Sequence, residues 1–189
     1  MAGGDLAELP GADHPGRYRP ARRDSGHLLL PAGRPEPRKL ETKNIKSETV
    51  GEKNNFGQYW RASQLCLVPM ESFFEPNYEA DRDKSTRYRI WLKDEPAFAV
   101  AGLWRDWPDG LISFGLFTVD ASQHPIMSRM HRPDKEKRSI VIVPRERWDD
   151  WLECRNPELA RTFMRLYPAN SMDAAPDPVP PRPRKAAVA

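Results

Sequence analysis

The sequence predicts an α+β fold built around a curved or barrel-like sheet, mainly antiparallel, with a few short helices. Five β-rich runs follow one another with turn signals between them, and only three short stretches carry apolar residues at helical spacing. All six Trp and all seven Phe lie between residues 41 and 167. Because large aromatic side chains supply much of a core, this segment is predicted to be the folded domain.

The five runs differ in the spacing of their apolar residues. Residues 86–92 and 112–119 alternate polar and apolar side chains, as strands with one buried face do. Residues 97–103 are almost wholly apolar and are predicted to form a central strand. Residues 65–68 and 139–143 are short apolar runs, each followed by a proline. A Pro-Asp-Gly sequence between the third and fourth runs fits the loop of a hairpin.

Three stretches predict helices. Residues 55–63 place three aromatic side chains at i, i+3 and i+4 after an Asn, and residues 144–152 place two Trp and a Leu on one face. Residues 156–167 open with Asn156 as N-cap and Pro157 at the first helical position. Five mostly contiguous strands with three short helices give the predicted α+β class.

The composition excludes several classes of protein. The chain has 189 residues, a formal net charge of +3 and a mean hydropathy of -0.75. It contains no apolar run long enough to span a bilayer, and its first ten residues lack the basic start and apolar run of a secretory signal. Two cysteines, Cys66 and Cys154, exclude a disulfide scaffold and a four-cysteine zinc site. We therefore expect a soluble, cytoplasmic monomer without a metal or other cofactor.

Proline and glycine divide the chain into three parts. Residues 1–40 hold 6 of the 20 Pro and 6 of the 11 Gly, and are predicted to be disordered or mistranslated. Residues 168–189 hold six more Pro and are predicted to be a disordered tail, which leaves 41–167 as the domain. Acidic and basic residues balance within this middle part. An anionic ligand would therefore need a local cluster of bases.

Few side chains outside the core offer chemistry. Glu75 ends an apolar run, where partial burial would raise its pKa and suit acid–base work; a Glu that faces water from an edge strand fits equally well. His124 and His131 flank the loop residues 125–130, and a solvated loop histidine is the plainer alternative. Neither has a Cys or carboxylate at ligand spacing, so a metal site is not favoured.

Other polar residues have equally plain alternatives. Asn44 and Glu48 fit a helix cap and a first-turn acid. Cys66 is predicted to be a core residue and Cys154 to pack under a helix end, since neither has a basic, exposed setting. Five bases near His131 could hold phosphates or belong to a solvated loop. These bases are Arg129, Arg132, Lys135, Lys137 and Arg138.

Five segments of the chain resemble, in order, the motifs of one known family. The first is Asn44-Ile-Lys-Ser-Glu-Thr-Val, which is similar to Asn-Ala-Arg-Ala-Glu-Thr-Val. Cys66-Leu-Val-Pro-Met-Glu-Ser-Phe-Phe-Glu is similar to Cys-Leu-Ile-Pro-Ala-x-Gly-Phe-Tyr-Glu, and Phe98-Ala-Val-Ala-Gly-Leu-Trp to Phe-Ala-Gly-Leu-Trp. Ile126-Met-Ser-Arg-Met-His resembles Leu-Met-x-x-Ile-His, and Arg138-Ser-Ile-Val-Ile-Val-Pro resembles Arg-Met-Pro-Val-Ile-Leu-Pro. Together these motifs resemble those of the SRAP family, the SOS response-associated peptidases, also called abasic-site processing proteins.

This resemblance covers residues 42–167 and implies a protein of the DNA-damage (SOS) response that cross-links covalently to abasic sites in single-stranded DNA. The family's nucleophile is an N-terminal cysteine exposed by removal of the initiator Met, and the peptidase name describes this self-processing. By resemblance, Glu75 aids opening of the abasic sugar and proton transfer at the aldehyde. His131 stabilises or protonates the sugar oxygen, and Asn44 positions the N-terminal residue.

The resemblance also implies contacts with DNA. Lys46, where the family has Arg, and Arg138 would contact phosphates. In the alternative of a binding module without catalysis, Trp104 or Trp107 would in addition stack on a base. A lysine keeps the charge but loses the bidentate geometry of Arg. The expected partner is single-stranded DNA containing abasic sites, and the expected location is the cytoplasm, at the nucleoid.

Besides Lys46, the sequence departs from the family in three places. It begins Met1-Ala-Gly-Gly instead of Met-Cys-Gly-Arg-Tyr, and no cysteine precedes Cys66. Pro76 stands where the family has Trp, and residues 132–137 replace a single residue. We expect either a wrong start or frameshift that removes the family's early strands, or a truncated, inactive paralogue that still binds single-stranded DNA. An N-terminal amine exposed by loss of Met1 could condense only reversibly with an abasic aldehyde.

Overall fold

The structure is a computed structural model and describes residues 44–53, 55–107, 110 and 112–179. These residues form two sheets with mostly antiparallel strands, together with a few short helices, so the predicted α+β class is confirmed. The predicted low-complexity segment 1–40 and the last ten residues lie outside the described residues.

The elements of the described chain are all short. The strands are β1 Asn44–Lys46, β2 Leu65–Met70, β3 Phe73–Asn77, β4 Thr86–Leu92, β5 Phe98–Asp106, β6 Ile112–Asp120, β7 Arg138–Ile140, β8 Ile142–Val143 and β9 Met172–Pro176. The α-helices are α1 Gly57–Arg61, α2 Trp148–Glu153 and α3 Pro157–Arg161. Single 3₁₀ turns cover Ser47–Thr49, Met127–Arg129, Arg145–Arg147 and Ala169–Ser171. The predicted run 86–92 is β4 to the residue.

The larger sheet has β1, β6, β5 and β2 side by side in that order. β5 and β6 pair antiparallel, with Trp104 opposite Phe114, as expected of the predicted hairpin. β2 pairs antiparallel with residues 98–103 of β5, whereas β1 runs parallel to β6. β7 and β8 complete a six-stranded sheet that, over the described residues, does not close into a barrel.

The predicted run 139–143 is divided between two partner strands. β7 pairs with β6 and β8 pairs with β5, and Val141 lies between them. The Val141 N–H donates to the Phe117 carbonyl at 2.9 Å, and its carbonyl accepts from the Ala101 N–H at 2.8 Å. This segment, which we call the wedge (138–143), therefore separates the far halves of the central hairpin.

The smaller sheet consists of β3, β4 and β9, all antiparallel. β9 lies in the segment that the proline content predicted to be a tail, and its Met172 is buried. Its backbone pairs with the edge of β4 that faces away from β3, where Ile90 is opposite Ala174. Periodicity gave no signal for this strand because its stability depends on a partner edge far away in sequence.

Two hydrophobic cores lie on opposite faces of the larger sheet. The first joins one face to the helices, with Trp151 stacked edge-on against Phe117 and Phe163. The second lies between the other face and the smaller sheet, where Phe98 meets Phe73 edge-on. Their position explains the almost wholly apolar run of β5, since that strand has both faces covered.

The helices are shorter than their apolar patterns predicted. Asn156 caps α3 as expected, since its side chain accepts from the Glu158 and Leu159 N–H groups. Beyond α3, the Phe163 and Met164 N–H groups donate to carbonyls three residues back, so the chain tightens into 3₁₀-type turns. Within the described part of the chain, no helix is long and apolar enough to cross a membrane.

Trp151 is the side chain on which the first core most depends. Its ring is fully buried and its indole N–H donates to the Cys66 carbonyl at 2.9 Å. We expect Trp151→Ala to lower the free energy of unfolding by about 3–5 kcal/mol. The neighbouring control, Leu152→Ala, removes a 42% exposed side chain and should change it by less than about 0.5 kcal/mol. Urea unfolding of both variants measures this, and equal effects would contradict the core described here.

Candidate active site

The loop between β6 and β7 is tied to the end of β3. Asn77 forms a β-bridge with Met130, and the His131 N–H donates to the Pro76 carbonyl at 2.6 Å. His131 has φ +60°, in the left-handed region that non-glycine residues rarely adopt. The loop thus approaches β3 closely and turns sharply at His131.

This turn brings His131 to Glu75. Glu75 Oε2 and His131 Nε2 are 3.2 Å apart, and the two side chains are 21% and 31% exposed, respectively. The two residues come from different elements, and only the tertiary structure makes them neighbours. A carboxyl and an imidazole in contact can pass a proton between them and to a third molecule.

Burial changes the proton affinity of both groups. It raises the pKa of Glu75 to about 7. It also lowers the pKa of His131 below its usual 6.5, and the positive charge of Lys137 lowers it further. The pKa of the carboxyl group therefore lies above that of the imidazole, the reverse of the usual order. Near neutral pH, a neutral acid beside a neutral imidazole is then favoured over an ion pair.

Asn77, Glu79 and Arg129 form a hydrogen-bonded network between the end of β3 and the loop that carries His131. The buried Asn77 amide donates to the Arg129 carbonyl at 3.1 Å and to Glu79 Oε2 at 3.0 Å. Glu79 accepts in turn from both Nε and Nη2 of Arg129. A cleft of about 350 Å³ opens beside His131, and its lining residues are Tyr78, Glu79, Ser128, Arg129, His131, Pro133 and Lys137.

Asn44 and Lys46 lie on β1, on the face opposite to the first core. Ile45 between them is buried in that core, whereas both neighbours are exposed. Directly opposed residues share a face of a sheet. The register therefore places Asn44 in one row with Gly102 and Cys66, on the face that the smaller sheet partly covers. The helix cap considered for Asn44 is wrong, since Asn44 begins a strand.

Lys46 and Arg138 face two carboxylates. Glu136 pairs with both Lys46 and Arg138, the latter at 2.7 Å, and Glu48 pairs with Arg138 at 2.8 Å. Arg138 also donates to Thr118 Oγ1 and to the Thr118 carbonyl, which fixes its guanidinium against β6. We call Lys46, Glu48, Glu136 and Arg138 the charge cluster. Its two positive and two negative charges balance.

Trp104 lies opposite Phe114 on the same face as Asn44, two residues along β5 from Gly102. Its ring is half-buried, and Phe114 is 39% exposed. At the end of the hairpin the Trp107 indole N–H donates to Ser113 Oγ, and Arg105 stacks on the Trp107 ring at 3.5 Å. Of the two predicted stacking residues, Trp104 lies on the same face of the larger sheet as Asn44, and Trp107 is engaged by Arg105 and Ser113.

The surroundings of His124, Cys154 and Cys66 indicate structural roles for these residues. His124 is buried; its Nε2 lies 3.0 Å from the Tyr167 carbonyl, and its Nδ1 accepts from two backbone N–H groups. Cys154 is buried in the first core, as predicted. Burial raises the pKa of Cys66 to about 12, and its sulfur lies so close to Gly102 that a Cβ there would approach it to 2.8 Å.

Of two further residues that contact these groups, Glu136 was not singled out from the sequence, and Lys137 was considered only as one of five bases near His131. Glu136 neutralises the predicted phosphate contacts, and Lys137 touches the turn at His131. Both belong to residues 132–137, where the sequence is longer than the family pattern. This extra length was the available signal, but their partners could not be inferred from it. Among the described residues, no group of three or more His, Cys, Asp or Glu is placed to hold a metal ion.

Comparison with known proteins gives a consistent family. The sequence model of the family described as SOS response associated peptidase (SRAP) matches residues 27–180. No curated protein matches the chain. A solved structure of a Bordetella bronchiseptica protein is 29% identical with a TM-score of 0.69, over 75% of this chain and 67% of that protein.

Two further solved structures are more distant. A Bacteroides thetaiotaomicron protein is 26% identical with a TM-score of 0.58, over 69% of this chain, which spans only 56% of that protein's length. A phage-related protein from Bordetella bronchiseptica is 20% identical with a TM-score of 0.53, over 75% of this chain and 67% of that protein, and shows a shared fold.

The raised pKa of Glu75 makes stability depend on pH. The folded protein keeps this proton up to about pH 7 and the unfolded chain only to about 4.5, so the stabilisation is complete below pH 4.5 and is lost as pH rises through 7. Glu75→Gln stays neutral at every pH. Relative to the parent, it should therefore gain about 1–3 kcal/mol of unfolding free energy between pH 5 and pH 8.

Urea unfolding at the two pH values measures this difference. Glu71→Gln, which alters an exposed carboxyl just before β3, is the matched control and should follow the parent at both pH values. A Glu75→Gln variant that also follows the parent would show that Glu75 has an ordinary pKa.

Proposed function

Because the chain belongs to the SOS response associated peptidase (SRAP) family, we propose that it binds single-stranded DNA in the DNA-damage response and acts on abasic sites there. The observation that carries this proposal is the contact between Glu75 and His131 at 3.2 Å, with both side chains partly buried. Both residues stand where the family motifs have their reactive carboxylate and histidine. The proposed place of action is the cytoplasm, at the nucleoid, and the proposed form is a monomer.

The pair is suited to open the sugar of an abasic site. In the closed sugar, C1′ carries a hydroxyl and is bonded to the ring oxygen. Opening removes the hydroxyl proton, breaks the bond between C1′ and the ring oxygen, and adds a proton to that oxygen. We assign the removal to the neutral His131 imidazole and the delivery to the protonated Glu75 carboxyl group, so that one proton leaves and one arrives. The product is an aldehyde at C1′.

A covalent step then needs a nucleophile for this aldehyde. Neither cysteine of the described residues suits this step, since Cys154 is buried and the Cys66 thiol, with its pKa raised to about 12, is protonated at neutral pH. We therefore propose an amine: its nitrogen bonds to C1′, water leaves, and a reversible iminium forms. The N-terminal amine is the first candidate, and Asn44 is the residue proposed to position it.

The second candidate function is binding without catalysis. It is favoured by one observation, the lack of a reactive thiol among the described residues. In this case Lys46 and Arg138 would contact phosphates, and Trp104, with Phe114 beside it, would stack on a base. Base–aromatic stacking is worth about 1–3 kcal/mol per base, so binding could persist after catalysis is lost.

A denaturing gel of the full chain with abasic single-stranded DNA, with and without borohydride, separates the two functions. Amine chemistry predicts an adduct only with borohydride, which reduces the iminium. Glu75→Gln should lower the rate of its formation about 10²–10⁴-fold, and Glu71→Gln should leave it unchanged. An adduct without reductant would implicate Cys66. Binding without any adduct supports the second candidate, and no binding overturns both.

The charge cluster predicts how DNA binding responds to mutation. Because Glu136 occupies both Lys46 and Arg138, a DNA phosphate must compete with it. Glu136→Gln should therefore increase the affinity for single-stranded DNA about fivefold at low salt, the effect of about 1 kcal/mol for unit charges 4 Å apart in water. Fluorescence anisotropy with a labelled oligonucleotide over a salt series measures it.

Asp134→Asn is the matched control for this experiment. It removes the same charge from the same loop, but Asp134 pairs with the exposed Lys135 and lies outside the charge cluster. An equal increase for both variants would point to general charge, and no increase for Glu136→Gln would contradict the proposed phosphate contacts.

A further inference from the structure

Three consecutive carbonyls of the loop converge on one ammonium group. Lys137 Nζ donates to the carbonyls of Met130 at 2.5 Å, His131 at 2.9 Å and Arg132 at 3.0 Å. An ammonium has three protons to donate, so this set can satisfy all of them. The carbonyls belong to the turn in which His131 has φ +60°. Backbone in this region persists only where its surroundings hold it.

We propose that Lys137 is the positioning residue of the candidate active site: its ammonium gathers the three carbonyls and so holds the turn that presents the His131 ring to Glu75. The pair's chemical role rests on the proposed function, whereas the positioning concerns the protein alone. The turn is held from both sides, since the His131 N–H is fixed to the Pro76 carbonyl while its own carbonyl is fixed to Lys137.

The same contacts argue against Lys137 as the nucleophile. It lines the cleft beside His131, so its amine is a natural candidate for the aldehyde. Attack on a carbonyl, however, requires a neutral nitrogen with a free lone pair. Here the nitrogen instead directs its protons into the turn, towards the three carbonyl acceptors. The geometry therefore assigns a structural cation to this position.

A positive charge beside His131 also keeps the imidazole neutral. Burial lowers the pKa of His131, and Lys137 lowers it further. Several other ionisable groups face the same cleft or the ring from β3 and the loop. They are Glu75, Tyr78, Glu79 and Arg129. Glu79 and Arg129 form an ion pair and neutralise one another, so Lys137 is the cation whose charge acts on the His131 ring.

The test compares three variants of the full chain by NMR titration of the His131 ring. Lys137→Met removes the charge and the donors, and should raise the His131 pKa by about 0.5–1 unit. Lys137→Arg keeps both and should preserve the parent pKa and the ring's chemical shifts. Lys135→Met is the control, since Lys135 is exposed and pairs with Asp134. An unchanged His131 pKa in folded Lys137→Met overturns the proposal.

Lys137→Arg decides the outcome if Lys137→Met fails to fold. Preserved ring shifts then support positioning, and altered shifts in a folded Lys137→Arg protein overturn it. Borohydride trapping adds a second readout, because a guanidinium can hold carbonyls but cannot form the iminium. Parent-level adduct from Lys137→Arg supports positioning. Loss of the adduct with unchanged ring shifts identifies Lys137 as the amine and overturns the proposal.

The two readouts separate this inference from the proposed function. If the parent itself gives no adduct and does not bind DNA, the proposed function fails. The NMR titration still decides whether Lys137 holds the turn, since it requires neither DNA nor chemistry. Conversely, normal trapping together with an unchanged His131 pKa in Lys137→Met would retain the function and reject the positioning role.

Discussion

The arrangement of this protein depends on the wedge between the two strands of its central hairpin. Val141 gives its N–H to Phe117 and takes the Ala101 N–H on its carbonyl, so one residue completes the hydrogen bonding of both strands. Because unpaired backbone groups are costly in a core, the hairpin can splay only where such a segment fills the gap. The wedge also fixes the position of Arg138 at its start, and with it the end of the loop that carries His131.

Burial then gives the candidate site its chemistry. A carboxyl and an imidazole 3.2 Å apart would usually form an ion pair at neutral pH, but partial removal from water disfavours both charges. Glu75 therefore keeps its proton up to about pH 7. The pKa of His131 is lowered below its usual value of 6.5, so its imidazole is neutral near neutral pH. The left-handed turn is the structural requirement for this contact, and Lys137 is the side chain whose hydrogen bonds converge on that turn.

The charge cluster, in contrast to the Glu75–His131 pair, consists of groups paired with opposite charges. Lys46 and Arg138, the cations that a nucleic acid would use, are balanced by Glu48 and Glu136. Positive and negative charges thus balance within the cluster, as they do over the whole domain. Attraction of a polyanion therefore depends on exchanging a carboxylate for a phosphate. The pair of Lys46 with Glu136, in which both side chains are about half exposed, is weak enough for such exchange.

Local patterns in the sequence determined much of the fold. Alternation predicted β4 to the residue, and the capping geometry of Asn156 depends on neighbours in the chain alone. Family motifs selected Glu75 and His131 as candidates. Only the tertiary structure decided that the two touch, that one predicted strand divides at Val141, and that β9 adds to β4. The physical reason is the same each time. These features are hydrogen bonds and burial between segments distant in sequence, and such contacts produce no regular spacing of apolar residues that a sequence pattern could reveal.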